Sequence, residues 1–292
     1  GEHRSARRHL EHLLLGPAPS TRRRQICRAG FDLYITARYL LGHVLWVQGF
    51  PDQAAAAVRN AVAEAQRIAH PITLCSALAW GACPLALLSG DLDAAWRYAA
   101  ELVDHAEKHA LADHLSYGRA AQEVIALRKA GANASAEQVR AALERWNASQ
   151  WHILLSVGEF AEAVAGAGLA DEMRAVVDAA LRRAERTQDL WAHPELLRVK
   201  CELLLRQDRP DPRQARDCFR RSLEQARAQG ALAWQLRTAA SLYRLDLRQG
   251  DASASREVLS QTFAQFREGF DTVDLRAARA LLEAGLKGRA SA

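Results

Sequence analysis

The sequence has little of what a β-rich protein needs. Aromatic residues make up only 7% of the 292 residues, and there are 8 prolines. β-Branched and aromatic residues favour strands, whereas Ala, Leu and Arg, which are abundant here, rank high in helix propensity. The composition therefore predicts a helical protein and argues against a β-sandwich, a barrel or a disordered chain.

Cysteines are few, odd in number and without a CxxC pair. That pattern is typical of a reduced, cytoplasmic chain with small buried thiols. Cys201 and Cys218 fall on the two helices of one predicted hairpin and are placed to meet, but we expect free thiols. The five cysteines are Cys27, Cys75, Cys83, Cys201 and Cys218.

Long apolar runs are also missing. Runs such as Leu13–Leu15 and Leu203–Leu205 are far shorter than the roughly 18 residues that a membrane span needs. No secretory signal with a cationic start and an apolar core precedes the first helical pattern. We therefore expect a cytoplasmic protein without membrane contact. Since the chain starts at Gly1 and not at Met, we also expect a fragment of a longer multidomain protein.

Positive charge is in mild excess. The chain has 39 Lys and Arg against 34 Asp and Glu, a net charge of +5 and an isoelectric point near 9.1. Of the 39 basic residues, 35 are Arg and 4 are Lys, a bias that coding composition produces without selection for nucleic acid. The excess charge by itself favours no particular partner.

Helix-breaking turn signals recur at an even spacing. Successive signals are separated by 41, 41, 37, 41 and 41 residues. At most of them a Gly ends one apolar helix and a short polar residue such as Asp52, Asp93, Ser135 or Asp171 is expected to cap the next. The signals begin at Gly49, Gly90, Gly131, Gly168, Arg209 and Gly250.

The repeating unit is a helical hairpin. Its incoming helices carry dense apolar positions, as in Leu74–Leu88 and Leu196–Leu205, whereas an outgoing helix carries one apolar stripe. Stacked hairpins need this asymmetry, because the first helix is covered on most sides and the second on one. We therefore predict one all-α solenoid over residues 1–292, with about six hairpins and a period near 41 residues. The example of an outgoing stripe is Ala215, Phe219, Leu223 and Ala226.

The segment from Leu41 to Ala54 resembles the tetratricopeptide (TPR) pattern. Gly42 stands where two helices touch, Gly49 at the turn, and Ala54 where the second helix packs back. The usual TPR period of about 34 residues is shorter than this one. Longer repeats of this kind resemble the C-terminal arrays of bacterial STAND-type predicted ATPases, in which a nucleotide cyclase or winged-helix domain commonly precedes the ATPase.

Further blocks carry the same resemblance over nearly the whole chain. Two departures from the pattern are Cys201, where a Gly is expected, and Gln235, where a Glu is expected. The resemblance implies a helical interaction module that controls upstream ATPase, cyclase or DNA-binding domains of the same chain. The blocks are Gly30–Asp32, Leu45–Ala54, Pro194–Leu204, Ala233–Leu242 and Glu268–Leu275.

Motifs for catalysis are missing from the sequence. It has no GxxxxGK[ST] phosphate loop, no GxSxG and no HExxH. His105 and His109 lie four apart on one predicted helix, with Glu101 one turn earlier and His114 beyond, but no further ligand completes a metal set. We expect no enzyme activity in this chain, no metal and no cofactor.

Two basic features are candidates for a partner. Four arginines fall on one side of a predicted helix, beside its apolar stripe, and form either an anionic docking stripe or a solvated flank. Arg22–Arg24 opens a helix, where cations are unfavourable, and is the second candidate. The stripe consists of Arg213, Arg216, Arg220 and Arg227.

A ligand groove follows from the TPR resemblance, because the first helices of successive hairpins line the concave side of such arrays. The residues carried over to this groove are aromatic at one end of the chain and cationic at the other. That combination suits a ligand with an apolar part and a carboxylate or other anion. The aromatic members can equally be core residues. The groove residues are Tyr39, His43, Trp46, Trp80, Arg128, Lys129, Arg206, Arg237, Arg244 and Arg248.

The function expected from the sequence is a non-enzymatic interaction and effector-sensing module of a bacterial signalling or transcriptional regulator. Its partner is a protein or peptide segment, or a small anionic effector, bound in the groove. The alternative is a helical-repeat nucleic-acid-binding module that uses the arginine stripe, although it lacks the repeated one-base code of such repeats. An enzyme on an all-α scaffold has the least support.

Overall fold

The protein is all-α, as predicted. No strand occurs in any segment that the structure describes. The computed structural model describes residues 1–16, 22, 26, 28–135, 137–142, 160, 161, 164, 169–207 and 209–290.

Thirteen α-helices occur within these residues. They are α1 (His3–Leu14), α2 (Leu33–Val47), α3 (Pro51–Ile68), α4 (Pro71–Ser76), α5 (Cys83–Ser89), α6 (Leu92–Lys108), α7 (Ala112–Ala130), α8 (Ala170–Thr187), α9 (His193–Leu204), α10 (Pro212–Ala228), α11 (Leu232–Gln249), α12 (Ser253–Phe263) and α13 (Val273–Ala290). A π-helical turn, Ala77–Ala82, joins α4 to α5 without a break, and a 3-10 turn, Gly131–Asn133, follows α7.

The chain forms two compact units. The N-terminal unit comprises Arg4–Trp46 and Pro51–Ile153. The C-terminal unit comprises Gly1–His3, Val47–Phe50 and Leu154–Ala292.

In the N-terminal unit, helices α3 to α7 pack around the π-helical turn. The close approach of α2 and α3 that the TPR pattern implies is present at Gly42. A Cβ atom added to Gly42 would lie 2.6 Å from a methyl group of Val58 and 3.1 Å from the carbonyl oxygen of Ala54. A larger side chain at position 42 would therefore push the two helices apart.

In the C-terminal unit, each helix from α8 to α13 packs against the next along the chain. Alternate helices also touch, since α9 packs on α11 and α11 on α13. The largest fully buried side chains of α10 and α11 are Phe219, Trp234 and Tyr243. These aromatic rings supply much of the apolar area that holds the layers together.

The amphipathic patterns of the sequence are confirmed in this unit. The predicted stripe of α10, from Ala215 to Ala226, is buried at each of its four positions. Helix α9 is buried on nearly all sides, with His193 through Val199 all inside the protein. Helix α9 is apolar on nearly all sides and α10 carries one apolar stripe. These patterns place α9 between α8, α10 and α11.

Two of the predicted turn glycines end helices in the left-handed conformation. Gly90 follows α5 with φ 76°, and Gly250 follows α11 with φ 85°. Glycine adopts this conformation without the steric cost of a Cβ atom, which is why it stops both helices. The predicted turn at Gly168 lies outside the described residues.

The predicted helix caps are partly wrong. Ser135 and Gln138 do exchange the hydrogen bonds of a capping box. At the next predicted cap, however, Asp91 and not Asp93 accepts the hydrogen bond from the backbone N–H of Ala94, at 2.9 Å. The helix begins at Leu92, so Asp93 already lies in its first turn. The other two predicted caps, Asp52 and Asp171, likewise lie in the first turns of α3 and α8.

Candidate functional site

The predicted groove residues fall into two sets, one in each compact unit. The N-terminal unit holds Tyr39, His43, Trp46, Trp80, Arg128 and Lys129. The C-terminal unit holds Arg206, Arg237, Arg244 and Arg248.

Three members of the N-terminal set, Tyr39, His43 and Trp80, lie at the π-helical turn. The ring of Tyr39 packs on Gly81, where an added Cβ would lie 2.7 Å from the Tyr39 Cβ. The Nε2 atom of His43 lies 3.4 Å from the carbonyl oxygen of Gly81, to which it donates. Trp80 packs on Tyr117 with ring centroids 4.9 Å apart. π-Helical turns often occur at functional sites, but this one is filled by its own aromatic neighbours.

Burial removes most of this set from the surface. Tyr39 is 6% exposed and Trp46 is 4% exposed, so both rings belong to the core. Burial lowers the pKa of His43 to about 4, although its hydrogen bond to Gly81 opposes the shift. An uncharged His43 and two enclosed rings offer little to a ligand in this conformation. Trp80 is only half-buried and keeps part of its ring accessible.

The two basic residues of the N-terminal set do not form a cationic site. Lys129 donates to the carboxylate of Asp93 at 2.7 Å. Arg128 is half-buried in the same helix, α7. Both lie in the last turn of α7, where the helix dipole favours cations.

The cationic set of the C-terminal unit converges on one cavity of about 360 Å³. Three of the four predicted arginines, Arg206, Arg244 and Arg248, line it. Arg244 and Arg248 lie one turn apart on α11, and Arg206 follows the end of α9. The full lining in the described part of the chain is Ala161, Arg198, Val199, Glu202, Leu203, Arg206, Arg244 and Arg248.

These three arginines are exposed at the cavity. None of them forms a side-chain hydrogen bond or ion pair anywhere in the part of the chain that the structure describes. Two of them, Arg206 and Arg248, lie next to helix carboxyl ends, whose partial negative charge makes cations tolerable there. The cavity therefore presents guanidinium groups whose hydrogen-bond donors face solvent.

The fourth predicted arginine, Arg237, is not among the lining residues of the cavity and is not available to a ligand. It is 9% exposed. Its Nη1 donates to Glu195 at 2.9 Å and its Nε donates to Asp274 at 2.7 Å. Its guanidinium also lies over the ring of Trp234, 5.5 Å from the centroid. Arg237 thus joins α9, α11 and α13 as a structural residue.

A buried ion-pair network continues from Arg237 to the cavity. Arg198 donates two hydrogen bonds to Glu195, at 2.9 and 2.8 Å, and also lines the cavity. Burial pushes the pKa of Glu195 upwards, but Arg198 and Arg237 outweigh burial and lower that pKa from 4.5 to about 2. Glu195 is therefore ionised at any physiological pH and holds both guanidinium groups in place.

Glu195, Arg198 and Asp274 were not among the site residues predicted from the sequence. A signal was present, because Glu195 and Arg198 are spaced three apart within the most apolar helix of the unit. Charged residues that fall inside a fully buried helix need partners nearby. Arg237 on α11 lies 42 positions after Glu195, and Asp274 on α13 lies 37 positions after Arg237, so no local spacing points to these pairs.

A second cavity of about 470 Å³ lies on another side of α9. Its lining carries as many carboxylates as cations among the described residues. Lys200 donates to Asp178 at 2.7 Å, and His193 is bonded to Gln225 at 2.7 Å. The balanced charges make this cavity a poorer anion site than the first. The charged members of its lining are Asp178, Arg182, Glu185, Lys200, Asp217 and Arg221.

The prediction of free thiols is wrong for one pair. Cys201 and Cys218 form a disulfide that joins α9 to α10, with Cα atoms 5.8 Å apart. Adjacent packing of the two helices brings the Cα atoms within disulfide range. Cys75 and Cys83 are free and buried as predicted, and burial raises the pKa of both thiols. Neither is a ready nucleophile at neutral pH. Cys27 lies outside the described residues.

The arginine stripe of α10 is partly used within the protein. Arg216 donates to Asp246 at 2.8 Å, and Arg220 lies 3.3 Å from Asp217. Arg213 and Arg227 are exposed. Two of the four cations therefore have carboxylate partners, which weakens the stripe as a docking surface.

The basic cluster at the start of the chain is also partly neutralised. Arg22 pairs with the buried carboxylate of Asp32 at 2.7 Å and with Glu64. Asp32 in turn accepts hydrogen bonds at the start of α2, so it acts as the helix cap. Arg23 and Arg24 lie outside the described residues.

Metal-binding geometry is not found among the residues that the structure describes, where no three potential ligands cluster. The rings of His105 and His109 stack 6.3 Å apart. His114 instead lies 3.2 Å from the hydroxyl of Ser76. The expectation that the chain binds no metal stays a prediction.

Within the described part of the chain, one helical stretch passes a length-and-composition test for a membrane span. Pro71–Ser89 is 19 residues long with a mean hydropathy of 1.7 over its most apolar window. Of that window, 78% is buried inside the protein. The core helix of a globular protein passes the same test, so the stretch is weak evidence for a membrane.

Comparison of the chain with protein-family models yields no match, and comparison with curated proteins yields no significant match. The TPR resemblance therefore stays a prediction, and function is inferred from the residues of the site.

Proposed function

We propose that the chain is a TPR-like α-solenoid of about six hairpins with a period near 41 residues. Support comes from the contacts of α9 with α11 and of α11 with α13, which are those of stacked hairpins. The close approach at Gly42 and the glycine turns at Gly90 and Gly250 give further support. The same features are consistent with the C-terminal arrays of STAND-type regulators that the sequence resembles.

We propose further that the solenoid is a non-enzymatic sensing module. It binds a peptide segment or a small anionic effector, and it controls upstream ATPase, cyclase or DNA-binding domains of a bacterial cytoplasmic regulator. The observation that carries the proposal is the cavity lined by Arg206, Arg244 and Arg248. Three guanidinium groups at one cavity, none used in an internal ion pair, are suited to a bidentate grip on carboxylate or phosphate.

Ligand binding would act on the array by changing the populations of its conformations. A ligand shifts an equilibrium between two conformations only if it binds one of them better. Arg206 lies at the end of α9, whereas Arg244 and Arg248 lie on α11. An anion bridging the two helices favours the arrangement in which they are closest, and this is the change that upstream domains would sense.

Binding of anions to charge-matched variants tests this proposal. Thermal unfolding is measured with sulfate, succinate and a penta-alanine peptide ending in a free carboxylate, at constant ionic strength. A probe that binds the native state at 100 times its Kd raises the free energy of unfolding by about 2.7 kcal/mol.

Two double variants that each lose two positive charges complete the design. The Arg244→Gln, Arg248→Gln protein should lose this stabilisation, and the Arg213→Gln, Arg227→Gln protein should keep it. Equal losses in both proteins, or no stabilisation by any probe, would contradict the proposal. Recovery of a chemically altered probe would contradict its non-enzymatic part.

The nucleic-acid alternative stays a prediction. It requires an affinity that falls steeply with salt. The pairing of Arg216 with Asp246 leaves the stripe short of free cations, so no observation favours it over the cavity.

A further inference from the structure

The charges of the described residues around the arginine cavity do not balance. Arg198 lines the cavity, but it is paired with Glu195, as Arg237 is with Asp274. The remaining charged residues of the described lining are three arginines and Glu202. Among the residues that the structure describes, two positive charges are left without a carboxylate, and the partial charges of the solvated helix ends offset only part of them.

The three arginines lie on two walls of the cavity, one formed by α11 and the other by the end of α9. Arg244 and Arg248 project from neighbouring turns of α11, and Arg206 from the end of α9. A guanidinium group pairs best with one acid group through two parallel hydrogen bonds. A single acid group on a small ligand cannot satisfy both walls with that geometry, whereas two acid groups at its two ends can.

Glu202 adds a different requirement. It is the one carboxylate in the described lining, and its Oε1 lies 3.9 Å from Arg198 Nη1, beyond hydrogen-bond length. Its oxygens can therefore accept a hydrogen bond from a ligand. A hydroxyl or amino group beside the acid groups would supply that donor.

The size of the cavity and its apolar members limit the ligand further. A volume of about 360 Å³ is at the lower end of the range for small-molecule sites. Ala161, Val199 and Leu203 provide the apolar contact for a short carbon skeleton.

We infer that the cavity binds a small organic dianion, a short carbon chain with two acid groups and a hydroxyl or amino group that donates to Glu202. This inference rests on the proposed function and specifies its ligand class. Arg244 and Arg248 bind one acid group, and Arg206 binds the other. Glu202 accepts a hydrogen bond from the hydroxyl or amino group between them. The class is defined by its two acid groups. Dicarboxylates therefore belong to it, and so do carboxylic acids of similar length whose second acid group is a phosphate.

Three four-carbon acids isolate each requirement. Butyrate has one carboxylate, succinate has two, and malate has two with a hydroxyl. Binding to the whole chain is measured by isothermal titration calorimetry at constant ionic strength. Succinate should bind at least about tenfold tighter than butyrate, because it gains a second set of charged hydrogen bonds. Malate should bind about threefold tighter than succinate, or better, through its added hydrogen bond.

Variants assign these differences to residues. Arg206→Gln should reduce the preference for succinate over butyrate to near unity, whereas the exposed control Arg213→Gln should leave it unchanged. Glu202→Gln should alter the preference for malate over succinate without weakening succinate. Equal affinity for butyrate and succinate, or a malate preference that Glu202→Gln does not change, would overturn the inference.

The failure of this inference can be told apart from failure of the proposed function. If none of the three acids binds but the penta-alanine peptide binds in a manner that depends on Arg244 and Arg248, the dianion inference is wrong and the module remains a peptide binder. If neither the acids nor the peptide binds, both are wrong.

Discussion

The buried carboxylate of Glu195 is predicted to be the largest single electrostatic contributor to the stability of the C-terminal unit. Its side chain is 3% exposed and accepts hydrogen bonds from Arg198 and Arg237 at 2.8 to 2.9 Å. In Glu195→Gln the shape of the side chain is kept and its charge is lost. Arg237 would keep its ion pair with Asp274, and Arg198 would keep Glu202 at 3.9 Å, but neither guanidinium group would face a charge at position 195.

The magnitude follows in two ways. Lowering the pKa of Glu195 from 4.5 to about 2 corresponds to about 3 kcal/mol of stability, at 1.36 kcal/mol per pKa unit. Removing one partner of a buried ion pair typically costs about 3–5 kcal/mol. We therefore expect Glu195→Gln to lower the free energy of unfolding by about 3 kcal/mol at pH 7.

The loss depends on pH in a defined direction. Because the pKa is lower in the folded protein than in the unfolded one, the carboxylate stabilises the protein fully above about pH 4.5 and loses this effect as pH falls towards 2. The difference between wild type and Glu195→Gln should shrink to about 1 kcal/mol at pH 3.

Unfolding in urea is monitored by hydrogen–deuterium exchange of peptides from α9 and α11. These peptides report the stability of the C-terminal unit, which contains Glu195. Glu202→Gln is the matched control, because it makes the same chemical change on the same helix. Glu202 is 30% exposed and lies 3.9 Å from its nearest cation, so we expect a loss of under about 1 kcal/mol. Equal losses in the two variants, or a difference that stays constant from pH 7 to pH 3, would refute the reasoning.

Three other predictions concern the disulfide and the π-helical turn. Replacing Cys201 and Cys218 by Ser should lower the free energy of unfolding by about 3 kcal/mol, since the bond closes a 17-residue separation; urea titration with and without reductant checks this, and equal stability would contradict it. Gly81→Ala should destabilise the N-terminal unit by about 1–3 kcal/mol, because its Cβ would lie 2.7 Å from Tyr39, and an unchanged melting temperature would count against that packing. The ring protons of His43 should not titrate in NMR spectra between pH 5 and 8, because burial lowers its pKa to about 4; a midpoint near 6.5 would show that the ring is solvated.

Helix positions and buried faces were predictable because they depend on local spacing. The stripe through Phe219 and the turns at Gly90 and Gly250 follow from periods and residue types within one hairpin. Arg206, Arg244 and Arg248 were assigned to a groove through the TPR resemblance, by their distance from a turn, and the three line one cavity. Each of these residues was placed by sequence spacing within a few dozen residues.

Pairing between helices was not predictable in the same way. Arg237 was expected to face a ligand, but Glu195 and Asp274 hold it inside the unit. The disulfide likewise depends on how α9 and α10 pack. Such contacts depend on how the helices pack in three dimensions, and no periodic pattern in the sequence encodes them.

The C-terminal arginine cavity is the central claim, and NMR of the guanidinium groups tests it most directly. Succinate is titrated into the whole chain while the Nε–Hε resonances of the arginines are recorded. Those of Arg206, Arg244 and Arg248 should shift along one saturating curve, whereas that of the exposed Arg213 should not move. Small, non-saturating shifts spread over all exposed arginines, or no shifts at all, would contradict a cavity built to bind anions.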